Sequence, residues 1–229
     1  MSKSSRDGAF ADPDRHVMEK AYARWAPLYD AVCGPIFESG RRAAAAAARS
    51  VGGRILEVGV GTGLSFADYD ASCEIVGIDM SAPMVSKALD RLATGQFPHV
   101  KSVMVMDASD LAFADGTFDC VVAQFVITLV ADAERVLDEC ARVVRPGGEI
   151  ILVNHLYSER GLTAAIERLF ARPARALGLR PEFPFARLAA WANAHGGVAL
   201  VERRPIKPLG VYTLVRFRRL AAVQAEAAE

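Results

Sequence analysis

Three glycines at alternate positions, Gly59, Gly61 and Gly63, follow a short apolar run, Ile55–Leu56–Glu57–Val58. Alternate glycines behind a strand permit a tight turn with positive φ and let backbone approach a bound group closely. The next residues, Leu64–Tyr69, are suited to open a helix, whose first amides attract negative charge. This reads as a nucleotide-cofactor loop, although a strand-to-helix turn of the same composition also forms without a ligand. The pattern is G-x-G-x-G, with Leu64 where a dinucleotide fingerprint has its last glycine, and no lysine follows as a P-loop requires. Two acids at strand ends decide between these readings. Asp79 closes EIVGID, twenty residues after Gly59; an acid there can accept both hydroxyls of an adenosine ribose. Asp107, followed by Ala108, closes Val100–Asp107 and suits an adenine amino group.

These residues need parallel strands to bring them together. Ile55–Val58 and Glu74–Asp79 are the first two, Val100–Asp107 the third, and Phe118–Val126 the fourth, ending at Gln124–Phe125. A helix from Asp132 to Arg145 carries Val136, Leu137, Cys140, Val143 and Val144 on one side. Arg145–Pro146–Gly147–Gly148 reads as helix stop and turn, and Glu149–His155 as the fifth strand. His155 then falls at the carboxyl edge of an open α/β sheet, where ligands collect. A histidine there can take a proton or bond a phosphate, or serve as a satisfied structural residue. Asn154 beside it is suited to orient a nucleophile. Ser81 can cap a helix from near Pro83 to about Ala93, and Arg187–Ala194 is a further helix. Val198–Val201 and Val211–Phe217 are expected to form an antiparallel pair.

The chain has 229 residues, enough for one α/β domain with a sizeable core. With 52% hydrophobic and 24% charged residues it is ordinary for a soluble globular protein. No run approaches the roughly 18–20 uncharged apolar residues of a membrane span. The opening MSKSSRDGAFADPDR lacks the apolar core of a secretory signal and reads as a disordered lead over residues 1–13. Cys33, Cys73, Cys120 and Cys140 lack metal-ligand spacing and read as reduced cysteines of a cytosolic protein, and four scattered histidines make no metal cluster.

Charge is unevenly placed. Residues 1–155 hold 15 Lys and Arg against 21 Asp and Glu, whereas residues 156–219 hold 12 against 4. That asymmetry points to an anionic partner for the late segment. At the other end, Asp14–Val32 has apolar residues at Met18, Ala21, Tyr22, Trp25, Leu28, Tyr29 and Val32, spaced by three and four as in an amphipathic helix, broken or bent at Pro27. Trp and Tyr beside Arg15, Lys20 and Arg24 suit a helix resting on a bilayer, and the same face can also cover a cofactor pocket as a lid. Ser39–Ser50, rich in alanine, reads as a separate scaffold helix.

Taken in order, ILEVGVGTG, GIDMS, MDASDLAF, FDCVVAQFV and RPGGEIILVNH resemble the successive motifs of class I S-adenosylmethionine-dependent methyltransferases. The resemblance implies one Rossmann-like α/β domain: a seven-stranded, mainly parallel sheet with helices on both faces and an antiparallel last strand. It implies that Gly59, Gly61 and Gly63 line the methionine end, that Asp79 holds the ribose, and that Asp107 and Ala108 hold the adenine. Gln124 would face the methionine through its backbone, and Glu57 and Met80, inside the same motifs, count with these cofactor residues. Cofactor and product would be S-adenosylmethionine and S-adenosylhomocysteine, with no metal required. The methyltransferase core would span residues 51–219, with a substrate insertion at about 156–197, after lid and scaffold helices over 14–50 and before a tail at 220–229.

The flanks narrow the resemblance. YARWAPLYDAV, VAQFVITLV, VNHLYSERG, RPEFPFARLAAW and PLGVYTLVRF are similar to short soluble-type bacterial phosphatidylethanolamine N-methyltransferases, and the similarity runs from about Tyr22 to Arg218. It implies methylation of the amine of phosphatidylethanolamine and its mono- and dimethyl forms. The protein would work peripherally on the inner face of the cytoplasmic membrane, held through its amphipathic helix at an anionic surface. Tyr22, Tyr29 and His155 are then the candidate catalytic residues. Asn154, Tyr157, Arg180 and Lys207 are candidates for the lipid headgroup; aromatic faces at Tyr22, Tyr29, Phe125 and Tyr157 suit a methylated ammonium, and Arg180 and Lys207 suit phosphate. The competing expectation is C- or O-methylation of a quinone or other small molecule. A nucleic-acid substrate is disfavoured, because no RNA-binding module and few aromatic residues accompany the arginines.

Overall fold

Strands buried on both faces need apolar residues at nearly every position, and the central strands have them. The computed structural model describes residues 29–156, 183–207 and 210–221, with side chains from Gly34 onward. Its strands are β1 (Arg54–Val58), β2 (Glu74–Asp79), β3 (Val100–Val105), β4 (Phe118–Gln124), β5 (Val144–Asn154), β6 (Val198–Pro205) and β7 (Thr213–Arg219). They form one seven-stranded sheet in the order β3-β2-β1-β4-β5-β7-β6. The pairs from β3 through β5 are parallel, and β7 runs antiparallel to both β5 and β6. The fold expected from the motifs is the fold observed.

Among the described residues four helices cover the sheet: α1 (Tyr29–Val51), α2 (Ala82–Leu92), α3 (Ala133–Val143) and α4 (Phe185–His195). One face packs Ile55, Cys120, Val122, Ile151 and Val153 against Ala44 and Ala48 of α1 and Val85 and Ala88 of α2. The other packs Leu56, Val121, Ala123, Ile150 and Leu152 against Val136, Leu137 and Cys140 of α3 and Leu188 and Trp191 of α4. The alanines of α1 are the reason it lies close on β4 and β5, since no long side chain holds it off. Asp132 caps α3 by accepting from the Arg135 amide at 2.9 Å. Trp191 fastens α4 to α3 by donating from Nε1 to Asp138 Oδ1 at 2.7 Å.

Three sequence expectations differ in detail. Tyr29–Val32 and Ser39–Ser50 are parts of one helix, α1, which continues through Pro35. Pro146–Gly147–Gly148 is not a turn before the fifth strand but part of it: Val144 already pairs with Phe118, and an irregularity between Phe118 and Cys120 takes up the extra residues. Ser81 precedes α2, yet its side chain makes no capping bond. Residues 14–28, the insertion at 157–182 and the tail from 222 lie outside the described residues.

Candidate active site

In an open parallel sheet the carboxyl ends of neighbouring strands part where the strand order reverses, and here that point lies between β1 and β4. A cleft opens there, lined by Val58, Gly59 and Gly61 from β1 and its loop, and by Ile78, Asp79, Met80, Ser81 and Met84 from the end of β2 and the start of α2. Met106, Asp107 and Ala108 follow β3, and Gln124, Phe125, Val126, Leu129 and Val130 come from β4 and beyond. Its polar groups are few and its walls apolar, the usual make-up of a small-molecule site.

The glycine loop is clipped to β2. Gly59 and Val60 amides both donate to Ile78 O, at 2.8 and 2.9 Å. The Gly61 amide donates to Asp79 Oδ2 at 3.0 Å, and the Ser81 amide donates to Asp79 Oδ1 at 2.8 Å. Burial raises the Asp79 pKa above the ordinary carboxylate value, against the opposing pull of these two amide bonds. Gly59 has φ 73, and Val126 fills the space that a Cβ there would need. Gly61 has φ 55 and would place a Cβ in open space, with no atom within 4 Å, so its backbone faces the cleft. Asp107 Oδ1 accepts from the Ser109 amide at 2.9 Å and from Ser109 Oγ at 2.8 Å, which fixes the carboxylate at the loop's start.

Beneath the loop lies a buried polar network. Glu57, 2% exposed, accepts from Ser65 Oγ at 2.9 Å and from Gln124 Nε2 at 3.0 Å. Gln124 Nε2 also reaches Tyr69 Oη at 3.4 Å, and Tyr69 hydrogen-bonds Glu57. Burial, opposed chiefly by the Ser65 bond, pushes the Glu57 carboxyl up to about 8. Unfolded, it titrates near 4.5. Between those values the folded protein keeps a proton that the unfolded chain has lost. The Glu57 contribution to stability therefore falls as pH rises through that window, at up to about 1.4 kcal/mol per pH unit. Denaturant melts at about pH 5.5 and about pH 7.5 should show that fall, and Glu57→Gln should reduce it by about 2–3 kcal/mol. Equal pH dependence in the two proteins would refute the assignment.

Residues 56–152 match a family model described as a methyltransferase domain. A phosphatidylethanolamine N-methyltransferase of Cereibacter sphaeroides is 41% identical over 203 residues, covering 89% of this chain and 98% of that one. This chain belongs to the phosphatidylethanolamine N-methyltransferase family of S-adenosylmethionine-dependent methyltransferases. The methyltransferase is also similar, over a shorter reach, to a ubiquinone/menaquinone biosynthesis C-methyltransferase of Geotalea daltonii, 34% identical over 44% of this chain and 45% of that one. Among solved structures, the [4+2]-cyclase SpnF has the same fold, with a TM-score of 0.74 at 18% identity over 92% of this chain and 98% of that one.

The cofactor of the methyltransferase is S-adenosylmethionine, and the cleft suits it: a bare glycine backbone, a half-buried acid at the end of β2 and apolar walls lie around one opening. The residues expected at the cofactor fall into two groups. Gly59, Gly61, Asp79, Met80, Asp107, Ala108 and Gln124 line the cleft. Glu57 and Gly63 do not: Glu57 sits under the loop, and Gly63, at φ 78, turns the chain into the 3₁₀ helix Leu64–Asp68, where a Cβ would overlap the Phe66 ring. Neither Asn154 nor His155 lines the cleft. Asn154 is 2% exposed at the end of β5, with its side-chain nitrogen and oxygen both lacking a hydrogen-bond partner; His155, next along, is half-buried. Lys207 is exposed near the same sheet edge, just past the end of β6. Tyr22, Tyr157 and Arg180 lie outside the described residues, as does the Tyr29 side chain.

Sequence reasoning missed Ser65, Tyr69 and the Gln124 side chain as parts of the network under the loop. The signal was present: Glu57 and Gln124 are polar residues in otherwise buried strands, and such residues need partners. The late arginines also read differently in three dimensions. Arg187 pairs with Glu134, Arg204 with Glu202, Arg216 with Glu149 and Glu202, and Arg218 with Glu149. Arg219 donates to the carbonyls of Arg142 and Val144. Much of the charge asymmetry within the described residues is thus internal pairing. Among the described residues no cluster of His, Cys, Asp and Glu is placed to hold a metal ion, and no helix is long and apolar enough to cross a membrane.

Proposed function

We propose that the protein transfers methyl groups from S-adenosylmethionine to the amine of phosphatidylethanolamine and of its mono- and dimethyl forms, toward phosphatidylcholine. The observation that carries this reading is the extent of the match: similarity to the Cereibacter enzyme covers 98% of that chain, flanks included, whereas the quinone-enzyme match covers 45% of its relative. The cofactor supplies an electrophilic methyl on sulfur. The protein must align an unprotonated amine behind that methyl, and orientation of this kind supplies much of the acceleration.

In this reading Asp79 takes the ribose hydroxyls, Asp107 and Ala108 take the adenine, and Gly59 and Gly61 lie under the methionine portion. His155, past the carboxyl end of β5, accepts the amine proton or bonds the phosphate, and Asn154 and Lys207 serve the headgroup from the same edge. Tyr22 and Tyr29 close the site from above, and Tyr157 and Arg180 belong to the lipid side. The protein works at the inner face of the cytoplasmic membrane, with the amphipathic segment expected around Trp25 on the anionic surface. The exposed side chains of Ile36 and Val211, 55% and 45% accessible, support this orientation; they are next in sequence to Phe37 and Tyr212, whose ring centroids lie 6.0 Å apart. Incubating the protein with labelled S-adenosylmethionine and either vesicles of ethanolamine and anionic phospholipids or demethylated quinones tests the assignment. Label is expected in the aminophospholipid; label confined to quinones would replace the proposal with ring methylation.

A further inference from the structure

Among the described residues Phe125 is the only non-glycine with a left-handed backbone, at φ 60. A bulky side chain is disfavoured there, and such strain persists only where surrounding packing imposes it. The packing is specific. The Phe125 amide donates to Val153 O at 2.7 Å. The ring tip lies over Gly40 of α1, so closely that a Cβ on Gly40 would overlap it. Phe37, one helical turn earlier, stacks on the ring with centroids 4.4 Å apart, and Tyr212 meets it edge-on at 4.9 Å. On the other side of the bend, Val126 occupies the space left by the bare Gly59. Gln124, Phe125 and Val126 all line the cleft.

We infer that Phe125 is a positioning residue for the cofactor site: its ring, lodged over Gly40 between Phe37 and Tyr212, holds the left-handed bend that sets Gln124 and Val126 against the glycine loop. Gly40 then has a reason that helix propensity does not supply, since alanine is the better helix former. Among the described side chains, those of the first helix shape the cofactor cleft through this ring without lining the cleft themselves.

The test compares Phe125→Ala with Phe125→Gly by calorimetric binding of S-adenosylhomocysteine. Both lose the ring, but only glycine accepts the bend without strain. The alanine variant should bind about five- to thirtyfold more weakly than the glycine variant. A residue that merely packs would give no such order, because alanine keeps a Cβ and restricts the unfolded chain. Gly40→Ala supplies a second reading that leaves Phe125 in place. Its fold checked by circular dichroism, it should bind S-adenosylhomocysteine at least about tenfold more weakly than the parent protein, because the ring is displaced. Alanine at 125 binding as well as glycine would overturn the inference; if that variant does not fold, unchanged affinity in a folded Gly40→Ala protein would do so. The inference rests on the cofactor and not on the acceptor. Parent protein that bound no S-adenosylhomocysteine would overturn the cofactor assignment along with it, whereas normal parent binding with the wrong order of variants would overturn this inference alone.

Discussion

Asp79→Ala is expected to weaken S-adenosylmethionine binding by about a hundredfold or more. The Asp79 carboxylate stands at the end of β2 with one oxygen held by the Gly61 amide and the other by the Ser81 amide. Those bonds orient it toward the cleft it lines. Each hydrogen bond from a ribose hydroxyl to such an acceptor is worth about 1.5–3 kcal/mol, and two are available. The same substitution also unclips Gly61 from β2, so the loop that must lie under the methionine portion loses one of its anchors. Titration calorimetry on purified protein reads the affinity directly. A dissociation constant within about tenfold of the parent value would remove Asp79 from the ribose site.

Gly59→Ala is expected to abolish measurable cofactor binding and to lower stability. The residue sits at φ 73, where an L side chain costs about 1–2 kcal/mol. Its Cβ would also collide with Val126, and overpacking of this kind costs about 1–3 kcal/mol more. Relief requires that either the loop leave the Ile78 carbonyl or the segment after β4 move away, and either movement deforms the cleft. Thermal melting should fall by about 5–15 °C for a chain of this size. Unchanged melting and binding would show that the loop tolerates a side chain and that its tight turn is not needed.

The parts of the fold legible in the sequence were those written in local patterns. The stretch Glu74–Asp79 is β2 residue for residue, because its apolar run is bounded by turn residues and ends in the acid that the site uses. The cofactor residues that line the cleft were legible for the same reason: each ends a strand or lies just past one, and strand ends at a switch point face the ligand by topology alone. Contacts between distant segments were not legible. Nothing local pairs Glu57 with Gln124, sixty-seven positions apart, or sets Phe125 between Phe37 and Tyr212. The β5 start was misread because Pro146 and Gly147 signal a turn locally, whereas pairing of Val144 with Phe118 carries the strand through them. Charge counted along the chain does not reveal partners such as Glu134 and Glu149, which the sheet and helices bring beside Arg187 and Arg216.

The most direct test of the account is transfer itself. Purified protein is mixed with labelled S-adenosylmethionine and vesicles holding phosphatidylethanolamine in an anionic lipid background, and the lipids are then separated. The account predicts label first in monomethylated phosphatidylethanolamine and then in the dimethyl and trimethyl lipids, with one S-adenosylhomocysteine released per methyl transferred. Cofactor binding with no label in any aminophospholipid would contradict it.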